Sequence, residues 1–258
     1  MRRAFTRAVS PRLAECQLTH LDRAPIDAAT AAAQHANYES ALRQAGFEVF
    51  RLPDLPDDPD AVFVEDTALL LGEHTIITRP GAPSRAGETQ STAEGLRDYF
   101  EVHWIDRGHV DGGDVLRIGK QLYVGLSTRT DREGLEALAQ SVSSLGFEVV
   151  EARLRGCLHL KTAATNIGSD ESGRPVLLYD PRSVDPAQFA SVDPFAVEET
   201  ETAAANCVRA GDRLIFPAGN SVTAERLRER GFNLAEVDVS ELQKAESGLT
   251  CMSLIDER

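Results

Sequence analysis

The segment Gly46-Phe47-Glu48-Val49 returns unchanged as Gly146-Phe147-Glu148-Val149, 100 residues further on. Phe100-Glu101-Val102 lies between the two copies, and Phe195-Ala196-Val197-Glu198 and Gly231-Phe232 follow. The chain therefore repeats itself roughly every 46 residues, and units of that length bury their apolar faces by packing against one another. The flanks agree. Helix-period stretches over residues 26–45, 89–99, 131–145 and 223–230 precede four of the repeats, with Asp131 and Thr223 as N-caps and Gly46, Gly146 and Gly231 as C-caps. Apolar runs around a glycine turn read as hairpins: 68–71 with 75–78, 115–118 with 121–125, and 207–209 with 213–216. Residues 163–167 and 175–179 fit the same slot with a longer polar loop. The unit is strand, strand, helix, strand. Four units are complete, and a fifth joins the last strand, 251–255, to the first, 5–9, with the helix that follows it. This closes a ring and removes sheet edges. The expected fold is α/β, five ββαβ modules in one domain over residues 1–258. An ordinary α/β sandwich with coincidental repeats is the alternative. No linker or low-complexity tract interrupts the series.

Composition narrows the function classes. Hydrophobic residues make up 42% and charged residues 26%, which excludes disorder for the chain as a whole. The net charge of −14 disfavours nucleic acid and favours a small cationic ligand. No apolar run is long enough to span a membrane, and the basic start Met1-Arg2-Arg3 is not followed by a secretory core. Cys16, Cys157, Cys207 and Cys251 are scattered without a CxxC pair, so neither a disulfide framework nor a structural zinc site is expected. The expected compartment is the cytoplasm.

At the entry to the first hairpin strand, every module carries a polar or reactive residue. These are Glu65-Asp66, Asp111-Gly112-Gly113-Asp114, His159, Asn206 and Cys251. Equivalent positions in a ring face one axis, so carboxylates, an imidazole and a thiol converge on one cavity. Taken singly, Cys251 reads as a small buried apolar residue, His159 as a hydrogen-bonded core histidine and Asp111 to Asp114 as a turn. Their joint placement is what points to chemistry. A thiolate nucleophile beside an imidazolium, oriented by a carboxylate, forms a covalent-catalysis set. Further acids beside the nucleophile call for a cationic electrophile, and a guanidinium pairs with carboxylates directionally.

Several segments resemble dimethylarginine dimethylaminohydrolases, in order and over almost the whole chain. They are Phe63-Val64-Glu65-Asp66-Thr67-Ala68, Ile77-Thr78-Arg79-Pro80-Gly81-Ala82-Pro83-Ser84-Arg85, Asp111-Gly112-Gly113-Asp114-Val115-Leu116, and Val124 to Thr130. His159-Leu160-Lys161, Ala204-Ala205-Asn206-Cys207 and Leu249-Thr250-Cys251 complete the set. The resemblance implies the five-bladed α/β-propeller (pentein) of guanidine-modifying enzymes. It implies hydrolysis of an Nω-methylated arginine to citrulline and methylamine or dimethylamine through a Cys251 thiouronium, with no metal or organic cofactor. Cys251 then matches the nucleophile, His159 the general acid and base, and Asp111 its carboxylate partner. Asp66, with Glu65 beside it, matches the guanidinium-binding acid, and Phe63 opens that motif at the substrate site. Arg85 and Arg129 match the arginines at the substrate α-carboxylate, and Asp60 and Leu18 the α-amino end. Arginine and agmatine deiminases share the Cys and His but carry an acid two residues after the histidine, where this chain has Lys161. That departure favours a methylated substrate. The alternative is another guanidine- or ureido-group hydrolase of the same fold, such as an arginine deiminase-like enzyme. A non-catalytic ribosome-binding relative fits neither the reactive residues nor the charge. No nucleic-acid or membrane partner is implied, and a monomer or homodimer is expected.

Overall fold

Short apolar strands separated by two-residue turns can pair only with themselves, and an outer third strand needs a crossover to reach them. The computed structural model describes residues 1–258 and shows that rule applied in three sheets, with a longer loop in the fourth and strands from opposite ends of the sequence paired in the first. The first sheet holds β1 (Arg3–Thr6) and β2 (Glu48–Arg51), bridged by helix α1 (Ala28–Gln44). The second holds β3 (Ala68–Leu71), β4 (His74–Ile77) and β5 (Glu101–Trp104), with α2 (Glu88–Leu96) before β5. The third holds β6 (Val115–Ile118), β7 (Gln121–Gly125) and β8 (Glu148–Ala152), with α3 (Arg132–Ser143). The single turn α4 (Leu160–Ala163) leads into the fourth, β9 (Ala164–Ser169), β10 (Pro175–Tyr179) and β11 (Asp193–Ala196). The fifth holds β12 (Val208–Ala210), β13 (Arg213–Pro217) and β14 (Asn233–Val237), with α5 (Ser221–Glu229). Strand β15 (Leu254–Asp256) completes the first sheet by pairing antiparallel with β1, Ala4 opposite Ile255. In each sheet the first two strands are antiparallel and the outer pair parallel. The molecule is an α/β-propeller of five blades.

The core is divided accordingly into five apolar clusters, each of which fills the gap between two neighbouring blades. Phe5, Phe100 and Leu254 join the first and second blades, and Val110, Val115 and Leu122 join Ile76 across the second and third. Burying one such side chain is worth about 1.5–3 kcal/mol, so the interfaces between blades help to hold the ring together. Gly146 ends the turn after α3 at φ +77°, a left-handed conformation that a side chain resists.

Three local expectations shift. Thr223 does not cap α5. Asn220 stands at that N-cap, and the Thr223 hydroxyl accepts the Glu198 amide. Cys251 lies in a 3-10 turn (Thr250–Met252) just ahead of β15 rather than on the strand. The fourth blade is bridged by one 3-10 turn (Pro186–Gln188) instead of a helix, and Phe195 lies inside β11. The other repeat phenylalanines immediately precede their strands, a slot that Val192 occupies in this blade.

Candidate active site

The five sheets share one further element. A short helical turn precedes the first strand of every blade: Val64–Thr67, Gly112–Asp114, Leu160–Ala163, Thr202–Ala205 and Thr250–Met252. The turns touch in sequence around the axis, the first packing on the second and the last. Each polar residue singled out from the sequence sits in or beside one of them.

His159 is the N-cap of α4 and is buried. Its Nε2 stands 3.0 Å from Asp111 Oδ2, and its Nδ1 3.8 Å from Asp66 Oδ1. Asp111 is fixed in turn, since its other oxygen accepts the Gly81 amide at 2.8 Å. The two glycines of Asp111-Gly112-Gly113-Asp114 are there for room. A Cβ on Gly113 would lie 2.7 Å from both Asp66 Oδ1 and His159 Nδ1. Asp114 supports from behind, accepting the Leu160 amide at 3.0 Å and the Ser127 hydroxyl at 2.6 Å. Burial works against the imidazolium, but Asp66, Asp114 and Asp111 outweigh it and raise the histidine to about 9. Asp114 itself is raised to about 6 by burial.

Cys251 is buried, and its Sγ accepts the Gly248 amide at 3.4 Å. Burial, with Glu65 and Asp66 adding to it, pushes the thiol up to about 12. The site thus rests as a neutral thiol and a charged imidazole. Asn206 holds the cysteine's turn, donating to the Thr250 hydroxyl at 3.0 Å and accepting the Thr250 amide at 2.9 Å.

The two acids of Glu65-Asp66 point apart. Asp66 accepts Arg85 Nη1 at 2.5 Å and the Gly113 amide at 3.0 Å. Glu65 pairs with Lys161 Nζ at 2.6 Å and accepts the Thr250 hydroxyl at 2.7 Å. Glu65 and Lys161 line a separate channel of about 570 Å³ between the first strands of the blades. Their ion pair forms a floor between that channel and the catalytic cavity. Arg85 is buried, and its guanidinium forks onto Glu88 at 3.0 and 2.8 Å while also reaching Asp66 and the Phe63 carbonyl. One Nη1 donor is left over.

Cys251, His159, Asp66, Phe63, Asp60, Arg85 and Arg129 all line one cavity. Its free volume is only about 20 Å³, close to the room of one water. Asp111 stands directly behind it, and Glu65 beneath. Leu18 packs on the core cluster between the fifth and first blades, and its neighbour Gln17 lines the cavity. The Gln17 amide donates to both Asp60 oxygens at 3.2 Å, and burial raises Asp60 to about 6. Asp66, Asp111 and His159 are close enough to share an ion, yet each is already paired within the network.

Sequence reasoning missed Glu246, which borders this cavity and a wider one of about 670 Å³ that also takes in His20 and Leu21. Its φ of +58° turns the carboxylate onto the 19–21 loop. There it accepts the amides of Thr19, His20 and Leu21 at 2.9, 2.5 and 2.6 Å. The only signal was an acid shortly before Cys251. A Glu246→Ala variant is expected to speed hydrogen exchange at these three amides about tenfold, the effect of losing roughly 1.4 kcal/mol of bonding. Mass-resolved exchange checks this, and unchanged rates would show that the loop holds its shape without the clamp.

Comparison with known proteins follows the same lines. The family model described as N,N dimethylarginine dimethylhydrolase, eukaryotic, matches residues 19–171. A dimethylarginine dimethylaminohydrolase of Streptomyces coelicolor is 36% identical over 98% of this chain and 96% of its own. The enzyme of that name from Pseudomonas aeruginosa, solved as a cysteine-to-serine mutant with citrulline, superposes with a TM-score of 0.91 at 34% identity, covering 98% of each chain. A dimethylarginine dimethylaminohydrolase solved as a histidine-to-glycine variant, in adduct with S-methyl-L-thiocitrulline, superposes at 0.90, also at 34% identity and over 99% of this chain.

Proposed function

The chain belongs to the dimethylarginine dimethylaminohydrolase family, and from this premise we propose that it hydrolyses Nω-methylated L-arginine to L-citrulline and an amine. The observation that carries the reading is one cavity lined by thiol, imidazole and carboxylate at one end and by Asp60 and Arg129 at the other. The first set suits a guanidinium carbon. The second suits an α-amino and an α-carboxylate group.

Resting Cys251 holds its proton because burial and two acids favour the neutral form. A guanidinium placed between Asp66 and Cys251 offsets those acids and stabilises the thiolate, so the substrate helps to ionise its own nucleophile. The thiol proton passes to solvent, and the imidazolium stays charged. The thiolate forms a bond to the guanidinium carbon. His159 Nδ1–H protonates the methylated nitrogen, and the C–N bond breaks to free dimethylamine or methylamine. The thiouronium carbon remains on sulfur. His159, now neutral, takes a proton from water as that water attacks the carbon. The C–S bond then breaks with its electron pair on sulfur, the hydroxyl proton passes to that sulfur, and citrulline leaves with the neutral thiol restored. Asp111 holds Nε2 throughout and stabilises the charged ring.

Lys161 favours the methylated substrate through its partner. It neutralises Glu65, which leaves Asp66 as the carboxylate of that pair facing the cavity. Free arginine would bury an unpaired N–H at a cost of about 1–3 kcal/mol. Citrulline release from asymmetric dimethylarginine, arginine and agmatine, run in parallel, tests the reading. Turnover of the methylated substrate with arginine at least tenfold poorer in kcat/KM is the expected result, while preference for arginine would overturn it.

The thiol also dictates a pH profile. Alkylation of the free protein by iodoacetamide at Cys251 is expected to be slow at neutral pH and to climb continuously through pH 9, toward the thiol value of about 12. A plateau by pH 8 would mean the thiolate is already formed. Stability follows the opposite course. Folding raises the His159 value, so its contribution is complete below the ordinary imidazole value of 6.5 and is lost as pH rises through about 9.

A further inference from the structure

The repeat architecture provides an internal standard for what each strand position requires. Where β4 carries His74, the other blades carry Arg3, Gln121, Val176 and Arg213 in the same register. Where β5 carries His103, they carry Phe50, Val150, Phe195 and Ala235. The fold asks for an apolar side chain at the second position in four blades of five. The second blade alone carries an imidazole at both.

The two rings meet. His74 Nδ1 lies 3.1 Å from His103 Nε2. Glu101, paired with His74 in the parallel ladder, brings Oε2 to 3.4 Å from His74 Nδ1 and Oε1 to 3.7 Å from His103 Nε2. The imidazoles are half-buried and the carboxylate is exposed, so water and ions reach the cluster. A shared proton explains the contact between the two nitrogens. It does not explain why the carboxylate closes the same triangle. Ligands on one zinc-like ion, bound at about 2.0–2.2 Å, stand roughly 3.0–3.5 Å apart, and the observed separations fall on or near that range.

We propose that His74, Glu101 and His103 form a binding site for a divalent first-row transition ion of the zinc or nickel class, separate from the catalytic cavity. Two imidazoles and one carboxylate are donors that such ions prefer over magnesium or calcium, and three protein ligands leave room for water. The net charge of −14 favours a cation. The site is at the hairpin end of β4, the end of the blade away from the catalytic turns. An ion there ties β4 to β5 and leaves the thiol chemistry alone.

The protein carries its own reporter. Trp104, the single tryptophan, follows His103 on β5 and is about half exposed. The titration adds NiCl₂ to the Cys251→Ser protein, which lacks the thiol of the catalytic cavity and leaves the second blade intact. Saturable one-to-one quenching of Trp104 fluorescence is expected, reversed by ZnCl₂, which competes without quenching. Affinity is expected to fall at least tenfold in His103→Gln and His74→Gln and by a smaller factor in Glu101→Gln, whose exposed side chain leaves folding undisturbed. ZnCl₂ is also expected to raise the melting temperature of the parent protein and not that of the histidine variants, whose metal-free melting temperatures serve as the folding control. Quenching that does not saturate by about 1 mM, or that is equally tight in Glu101→Gln and either histidine variant, overturns the proposal.

Discussion

A Cys251→Ser variant is expected to release no measurable citrulline from asymmetric dimethylarginine, a loss of roughly 10⁴-fold or more in kcat. The reason lies in the burial of the sulfur and the acids around it. Burial, with Glu65 and Asp66 adding to it, already pushes the thiol up to about 12, and a serine hydroxyl starts far higher, so no guanidinium charge brings it to an alkoxide. Binding is expected to survive, because Asp60, Asp66 and Arg129 are untouched. Intact-protein mass spectrometry during turnover checks the covalent step: the parent protein carries a substrate-derived adduct, and the serine variant carries none. Residual turnover within about a hundredfold of the parent would mean that water, not Cys251, attacks the guanidinium carbon.

The second large effect falls on Arg85, which joins two buried carboxylates: Glu88, with no other cation in contact, and Asp66, which otherwise faces only His159 at 3.8 Å. Arg85→Met leaves Glu88 buried without a counter-charge and Asp66 with His159 alone. Such a loss costs about 3–5 kcal/mol, which for a chain of this size lowers the melting temperature by around 10 °C. Arg85→Lys is expected to rescue little, since an ammonium cannot fork onto Glu88 while reaching Asp66. Activity falls in both variants because Asp66 loses its orientation. Calorimetry measures the destabilisation directly. A change of less than about 1 kcal/mol would show that the acids find partners elsewhere, and that Arg85 is held for substrate binding instead.

That contrast marks where the sequence was legible. The repeat exposed the ring because periodicity is a property of the chain itself, and the hairpins at 115–125 and 208–217 follow from two-residue glycine turns. The residues at module entries were legible as a set for the same reason: equivalent positions in a ring share an axis. Their pairings were not. Nothing in Glu65-Asp66 says that one carboxylate turns to Lys161 beneath the site and the other to Arg85. That split follows from the 3-10 turn of Val64–Thr67, which sends consecutive side chains in different directions. Glu246 was invisible because its role depends on a left-handed backbone at a non-glycine position and on a loop more than 200 residues away in sequence. Leu18 was carried by resemblance alone, and Gln17 is the residue whose side is turned to the cavity.

The pairing of β15 with β1 has a consequence for how activity is acquired. His159, Asp111 and Asp66 come from complete blades, but Cys251 belongs to the one blade divided between the two ends of the chain. The turn that presents the sulfur also supplies the Thr250 hydroxyl to Glu65, and with it part of the floor. In the proposed mechanism, a chain with the other four blades folded and the first unzipped holds an acid, a base and an ion pair, but no nucleophile and an unfinished floor. Turnover therefore reads out topology. On the proposed role of Cys251, each active molecule is one in which β15 has met β1, and the catalytic rate of a population counts closed rings.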